Sequence, residues 1–227
     1  MSVDAAMVEY YRQRAPYYER VYHKPERQED LRKLRQMVVT TFAGKDVLDV
    51  ACGTGYWTEI IADAANSIVG IDFNEEVLDV ARGKPMPKHK VRFLRGDAYV
   101  LPDLGETFDA GMVGFWWSHV PKAKLRDFLT GLHSKLKPGA SVMVFDNAFV
   151  QGSSTALSKK DSDGNPVSER DADGNTYQER VLDDGSTHRI VKNFPTEEEL
   201  RATVHGMADE VTVAFLTYYW ILAYKRL

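Results

Sequence analysis

The sequence predicts an α/β fold, a mainly parallel sheet with helices on both faces. Three observations predict it. Short apolar β-type runs at 46–50, 67–72, 91–94, 108–114 and 140–145 alternate with helical patterns, and alternation at that pitch builds a parallel sheet. The first run passes through a glycine loop straight into a helical pattern, Val47-Leu48-Asp49-Val50-Ala51-Cys52-Gly53-Thr54-Gly55-Tyr56-Trp57-Thr58. The chain ends on two adjacent β-type runs, 209–216 and 217–225, which read as a hairpin giving the sheet an antiparallel edge.

Each element has its own justification. Residues 4–23 are helical and rich in tyrosine, and Pro16 divides them into two short helices because proline suits a first turn and not an interior. Residues 26–42 form an amphipathic helix with Leu31, Leu34, Met37 and Val38 at helical spacing. Gly44-Lys45 is a break before the first strand. Helices follow at 55–65, at 74–82 with Val77, Leu78 and Val80, and at 121–136. Leu136-Lys137-Pro138-Gly139 is the turn into the fifth strand. The polar segment 151–194 repeats turn signals at Asp163-Gly164-Asn165, Asp173-Gly174-Asn175 and Asp184-Gly185-Ser186, so it reads as short strands joined by tight turns. In it, 177–182 and 187–192 pair as a hairpin. The doubled Asp-x-Asp-Gly-Asn is not an EF-hand loop: the glycine is misplaced and no glutamate stands at the twelfth position. No metal is expected. Thr196 is the N-cap of a helix that starts after Phe194-Pro195.

Composition narrows the function classes. A 227-residue chain with 44% hydrophobic residues suits one domain with a real core. The net charge of −4 does not support a basic footprint for nucleic acid. The single cysteine, Cys52, forms no intrachain disulfide and fits a reducing compartment. Met1-Ser2-Val3-Asp4 shows no basic region leading into an apolar stretch, and no run approaches membrane-spanning length. The expected location is cytoplasmic, with no membrane partner.

The glycine loop carries the chemistry. Glycine allows positive φ and lets a ligand approach bare backbone, and the helix behind it presents unpaired N–H groups. A dinucleotide loop, G-x-G-x-x-G, is the rival reading. Here Thr58 stands at the third glycine position, Asp49 closes the strand before the glycines, and 227 residues leave little room for a second substrate-binding region. The stretch 47–58 resembles the first motif of class I S-adenosylmethionine-dependent methyltransferases, with Ala51 where that family often has a glycine. The resemblance covers 45–150 tightly and 195–227 in outline. It implies a Rossmann-like sheet of seven strands, and S-adenosylmethionine held by Asp49, Ala51, Gly53 and Gly55.

Gly70-Ile71-Asp72-Phe73-Asn74 ends the second strand. A carboxylate there can accept from two vicinal ribose hydroxyls, and the resemblance gives Asp72 that role, with Phe73 beside it; a helix-capping or turn acid is the plainer reading. Phe93-Leu94-Arg95-Gly96-Asp97-Ala98 matches the family's adenine site at Asp97 and Ala98, while Tyr99 is either near the ring or ordinary packing. By resemblance Gly114 and Phe115 line the methionine part. Trp116 and Trp117 wall an apolar acceptor site, unless one of them fills the core. The Asn/Asp-Pro-Pro-aromatic motif of the family's nucleic-acid amino methyltransferases is absent from this stretch, which counts against a DNA-base acceptor.

His119 is the candidate general base, since imidazole titrates near neutral pH; the alternative is a histidine that caps or packs under the next helix. His188, in the inserted hairpin, and His205 are weaker candidates. Tyr11, Arg14, Tyr18 and Tyr22 are spaced by three, four and four, one helical stripe if Pro16 does not break it. Such a stripe is usually packing. Many small-molecule members of the family instead close a tyrosine-bearing N-terminal lid over the cofactor, and Tyr11, Arg14 or Tyr18 would then reach the methionine carboxylate, with Arg14 its ion-pair partner.

The expectation is a single domain over 1–227: a helical lid at 1–44, a cofactor-binding core at 45–150, an inserted substrate-side segment at 151–194, and a last helix with C-terminal hairpin at 195–227. The expected reaction is in-line methyl transfer to a small molecule, a hydroxyl oxygen favoured, with N- and S-acceptors or a non-catalytic S-adenosylmethionine-binding protein as alternatives. Alignment of donor and acceptor alone supplies about 7–11 kcal/mol in favourable cases. The 175–192 hairpin can cover the pocket or pair two copies into a homodimer.

Overall fold

The computed structural model describes residues 5–151, 158–160, 166–182 and 184–227. The predicted turn at 163–165 and the N-terminal tetrapeptide lie outside them.

Helix α1 (Ala5–Arg14) runs into a 3-10 helix over Ala15–His23, with Pro16 in its first turn. Proline thus tightens the stripe into a second helix type and does not interrupt it. A short 3-10 turn over Pro25–Arg27 leads into α2 (Gln28–Phe42). There Leu31, Leu34, Val38 and Phe42 are fully buried, whereas Met37, placed on the apolar face by its spacing, is exposed. The core then alternates as read: β1 (Asp46–Val50), α3 (Tyr56–Ile61), β2 (Ser67–Asp72), α4 (Glu75–Arg82), β3 (Val91–Arg95), β4 (Phe108–Gly114), α5 (Leu125–His133) and β5 (Leu136–Asn147).

Several boundaries differ from expectation, among them that of the helix expected over 55–65, which ends at Ile61. The helix expected over 121–136 opens with a 3-10 turn over Lys122–Lys124, because Pro121 is extended. The Lys-Pro-Gly stretch belongs to β5 rather than preceding it, since Leu136 already stands opposite Phe108 of β4.

After β5 come β6 (Ser158–Lys160), β7 (Pro166–Ser168), β8 (Tyr177–Val181), β9 (Thr187–Val191), α6 (Glu197–Val204), β10 (Ala208–Phe215) and β11 (Tyr219–Arg226). The sheet of seven strands runs β10-β11-β5-β4-β1-β2-β3. Five strands are parallel; β11 is antiparallel to β5 and to β10. Strand order reverses between β4 and β1, and ligands sit at such a switch point beyond the carboxyl ends of the strands. Alternation places Val47 in the cluster under α2 and Leu48 and Val50 in the cluster on the opposite face.

Strands β8 and β9 pair antiparallel as a separate hairpin, from Tyr177 opposite Val191 to Val181 opposite Thr187. Its end is fastened to the core. Asn193 N–H donates to Ser118 O at 2.8 Å, and Asn193 Nδ2 to Val120 O at 3.2 Å. Lys192 Nζ reaches Asp146 Oδ1 at 3.1 Å and Ser118 Oγ at 2.6 Å, with Lys192 and Asp146 both buried. Helix α1 packs against β9, so the N-terminal helices and the hairpin together roof the carboxyl end of the sheet. Thr196 caps α6 in a capping box with Glu199. Among the described residues no helix is long and apolar enough to cross a membrane.

Candidate active site

Under that roof lie two adjoining cavities. The first, about 680 Å³, is lined by Ala51, Gly53 and Thr54 after β1, Asp72 to Asn74 after β2, Gly96 and Ala98 after β3, and Gly114, Phe115, Trp116 and His119 after β4. Tyr11 and Tyr18 close it from the N-terminal helices. The second, about 900 Å³, shares Tyr11, Tyr18, Phe115 and His119 and adds Arg14, Lys24, Arg27, Gln178, Arg180 and Lys192 among others.

The glycine loop is bent by three successive needs. Ala51, Gly53 and Gly55 all have positive φ, 58°, 55° and 71°. At Ala51 this costs about 1–2 kcal/mol that glycine would not incur. A side chain on Gly53 would meet nothing within 4 Å, so that position opens bare backbone to the cavity. A Cβ on Gly55 would stand 2.9 Å from Ala81 Cβ; Gly55 is spent on docking α3 against α4 and does not line the cavity.

Asp72 holds the loop's shape. Its Oδ2 accepts from Gly53 N–H at 2.9 Å and its Oδ1 from Asn74 N–H at 2.9 Å. Burial raises its pKa against those backbone bonds. An ionised carboxylate has about four acceptor positions, so two remain for a ligand. Asp49 lies deeper. It is buried, accepts from Thr58 Oγ1 at 2.5 Å, and burial pushes it up to about 7. It braces α3 from beneath the loop rather than lining the cavity.

The structure separates the other predicted residues. Asp97 does not line the cavity; its carboxylate closes a turn onto Tyr99 N–H at 2.8 Å, while its neighbours Gly96 and Ala98 do line it. Phe115 sits at the junction of the cavities with φ of 59°. For a bulky residue this is a strained backbone, and such strain gathers at functional sites. Trp116 lines the first cavity. Trp117 does not: it is fully buried, edge-on to Trp220 at 5.9 Å, because the short helix after β4 turns it into the core. His188 lines neither cavity. Its ring lies 5.8 Å from Tyr10, and its Nε2 is 3.2 Å from Ser186 Oγ. His205 ends α6, away from both cavities. Arg14 lines the second cavity and not the first, donating to Tyr10 Oη at 2.7 Å.

His119 is fixed on both sides. Nδ1 lies 2.8 Å from Val191 O, and a carbonyl only accepts, so Nδ1 carries the proton. Nε2 is then bare and accepts from Tyr11 Oη at 2.8 Å. Burial, reinforced by the Lys192 charge, lowers the imidazole well below its usual pKa. It is neutral at pH 7, and it orients the Tyr11 hydroxyl.

Residues that sequence reasoning did not find are Arg180, Lys192, Gln178 and Arg27, all on the second cavity. The signal was present in part. Residues 178 and 180 share one face of β8, and Arg180 stands opposite His188 on β9. The hairpin face was identified through His188; the residue that reaches the cavity is its cross-strand neighbour.

Residues 47–139 match the family model described as a methyltransferase domain. Over that stretch the chain is similar to methyltransferase domains. It is similar to the demethylmenaquinone methyltransferase of Staphylococcus aureus strain MRSA252, 36% identical over 111 residues, which are 46% of this chain and 44% of that protein. The chain therefore matches less than half the length of that curated relative. Among solved structures the chain superposes on a DhpI–SAM–HEP complex with a TM-score of 0.77 at 24% identity, covering 98% of this chain and 96% of that one. A DhpI–SAH complex gives 0.76 at 23%, covering 97% and 95%.

The residues around the first cavity fit S-adenosylmethionine. The first cavity has bare backbone at Gly53, small residues at Ala51, Gly96, Ala98 and Gly114, and a carboxylate with acceptor positions to spare at Asp72.

Proposed function

We propose that this chain transfers the methyl group of S-adenosylmethionine to an oxygen of a small-molecule acceptor held in the second cavity. The observation that carries this is the shared wall. Tyr11, Tyr18, Phe115 and His119 line both cavities, so a donor in one and an acceptor in the other would meet there.

When bound, S-adenosylmethionine supplies an electrophilic methyl group, which an acceptor oxygen takes by in-line displacement as sulfur leaves with the C–S electron pair. The chain's residues position the two molecules. Asp72 takes the ribose hydroxyls, and the Ala51–Gly53 backbone lies under the nucleoside. The strand end at Gly96, Asp97 and Ala98 takes the adenine, with Asp97 acting through the turn it closes. Gly114 and Phe115 flank the methionine part. The α1 and 3-10 tyrosines with the β8–β9 hairpin exclude water, which strengthens every polar contact inside.

For a hydroxyl acceptor, Tyr11 and His119 form the proton route: Tyr11 Oη faces the shared wall, and His119 Nε2 accepts behind it. Replacing His119 with alanine is expected to lower turnover on the order of a hundredfold with S-adenosylhomocysteine affinity kept. Radiolabelled methyl transfer to a panel of alcohols, phenols, amines and thiols, beside a calorimetric titration, reads both. Unchanged turnover removes His119 from the mechanism, and transfer only to amines or thiols overturns the oxygen acceptor. The match to demethylmenaquinone methyltransferases covers too little of either chain to carry their named acceptor over.

A further inference from the structure

The end of the inserted hairpin, residues 191–193, lies across residues 118–120 of the segment after β4. His119 Nδ1 is 2.8 Å from Val191 O, Asn193 N–H donates to Ser118 O at 2.8 Å, and Asn193 Nδ2 donates to Val120 O at 3.2 Å. The two bonds of Asn193 bracket His119, one on the residue before it and one on the residue after. Asn193 is 3% exposed and lines neither of the two cavities.

The Asn193 amide is committed on both sides. Its Oδ1 accepts from Thr176 N–H at 2.9 Å, and its Nδ2 also donates to Asn175 Oδ1 at 3.0 Å. The partners fix which way the amide points, because a backbone N–H only donates and a carbonyl only accepts. Asn175 Oδ1 in turn accepts from Lys122 N–H at 2.8 Å. One buried side chain thus ties the hairpin end to the segment that carries His119. Truncating it would leave the Val120 carbonyl and the Thr176 N–H without this partner, which is costly in a buried place.

What this clamp holds is a tautomer. In a neutral imidazole, the hydrogen bond made by one ring nitrogen decides the state of the other. With Val191 O on Nδ1 the proton stays there, and the Nε2 lone pair accepts from Tyr11 Oη at 2.8 Å. With Val191 O withdrawn, the proton is free to move to Nε2, and Tyr11 then has no lone pair to donate to. In a Ser–His–Asp triad a buried carboxylate does this work on Nδ1, and the change that selects the wrong tautomer lowers turnover about ten-thousandfold. Here the buried carboxylate beside the ring is spent on the clamp itself. Asp146 accepts from Ser118 N–H at 2.9 Å and from Lys192 Nζ at 3.1 Å. The ring is left with a backbone carbonyl, whose place depends on how the hairpin end is tied.

We infer that Asn193 is a positioning residue for His119: by pinning the hairpin end across residues 118–120, it keeps Val191 O on Nδ1 and the Nε2 lone pair on Tyr11. This rests on the proposed function in giving His119 and Tyr11 the proton route.

Nitrogen NMR of histidine-labelled protein, saturated with S-adenosylhomocysteine, reads the tautomer without any acceptor present. The His119 signals are those missing from His119→Ala. The parent protein is expected to carry the proton on Nδ1 alone, and Asn193→Ala to show a resolved population protonated on Nε2. The same variant is expected to lose kcat on the order of tenfold or more, with KM for S-adenosylmethionine unchanged, on whichever alcohol or phenol the parent methylates. S-adenosylhomocysteine affinity reports that the variant is folded. If Asn193→Ala fails to bind it, Asn193→Ser is read by the same criterion, since its hydroxyl can still accept from Thr176 N–H. The inference is overturned if the parent holds the proton on Nε2, or if the folded variant keeps the parent's tautomer. The two proposals fail separately. Slowed transfer in His119→Ala beside an unmoved tautomer in the Asn193 variant ends this inference and leaves the proposed function standing. Unchanged transfer in His119→Ala ends the proton route, while a shifted tautomer in the Asn193 variant still upholds the clamp.

Discussion

Asp49 shows how a residue named for one role performs another. It sits one strand position from the loop, which made it a candidate to touch the ligand, but the pleat turns it inward, where Thr58 Oγ1 donates to it. Its pKa, 3.8 in its ordinary state, is raised by burial to about 7. Below pH 4 both folded and unfolded chains hold the proton and nothing is gained or lost. Between pH 4 and 7 the unfolded chain releases a proton the folded chain keeps, so stability falls as pH rises. At about 1.4 kcal/mol per unit this amounts to on the order of 4 kcal/mol. Asp49→Asn is expected to remove that slope. Chemical denaturation of both proteins at pH 4, 5.5 and 7 measures the difference, and parallel curves would show that Asp49 is ionised in the fold. Asp72 was more legible. An acid at the end of the second strand can serve a ligand, cap a helix or close a turn, and only the loop before it favoured the ligand. In the structure its carboxylate closes the turn onto Asn74 N–H, bonds Gly53 N–H and lines the cavity.

At the scale of elements, the strands β1, β2 and β4 were readable because each is an apolar run with a sharp end. The first turn of α5 and the start of β5 were not, because a proline near a boundary fits a 3-10 turn, an extended strand or a helix start equally well. The β8–β9 hairpin was readable from its turn residues, but its attachment was not. It is fixed by Lys192, a residue with no motif around it, whose partners Asp146 and Ser118 lie 46 and 74 positions away. A buried ion pair broken from one side leaves an unmatched charge, at about 3–5 kcal/mol. Lys192→Ala is therefore expected to lower unfolding stability by that amount and to raise hydrogen exchange in the hairpin. The double variant Lys192→Met with Asp146→Asn should recover much of the loss. A Lys192→Ala protein as stable as its parent, with the hairpin equally protected, would mean that Asn193 and packing alone hold the roof.

For the whole molecule, the cofactor side of the site was legible because it is local. One loop and the ends of consecutive strands supply it in a fixed order, and glycine and acid positions mark it. The acceptor side is assembled from the N-terminal helices and the inserted hairpin, which meet only in the folded chain. No spacing rule links Arg14 to Arg180. The cavity at the switch between β1 and β4 is proposed to seat S-adenosylmethionine, with the acceptor across the Tyr11–His119 wall. A crystal structure with S-adenosylhomocysteine tests it most directly. Ribose hydroxyls are expected on the Asp72 carboxylate at roughly 2.5–3.0 Å, with the sulfur beside Tyr11, Phe115 and His119. Adenosine bound away from Asp72, or the sulfur turned from that wall, would contradict it.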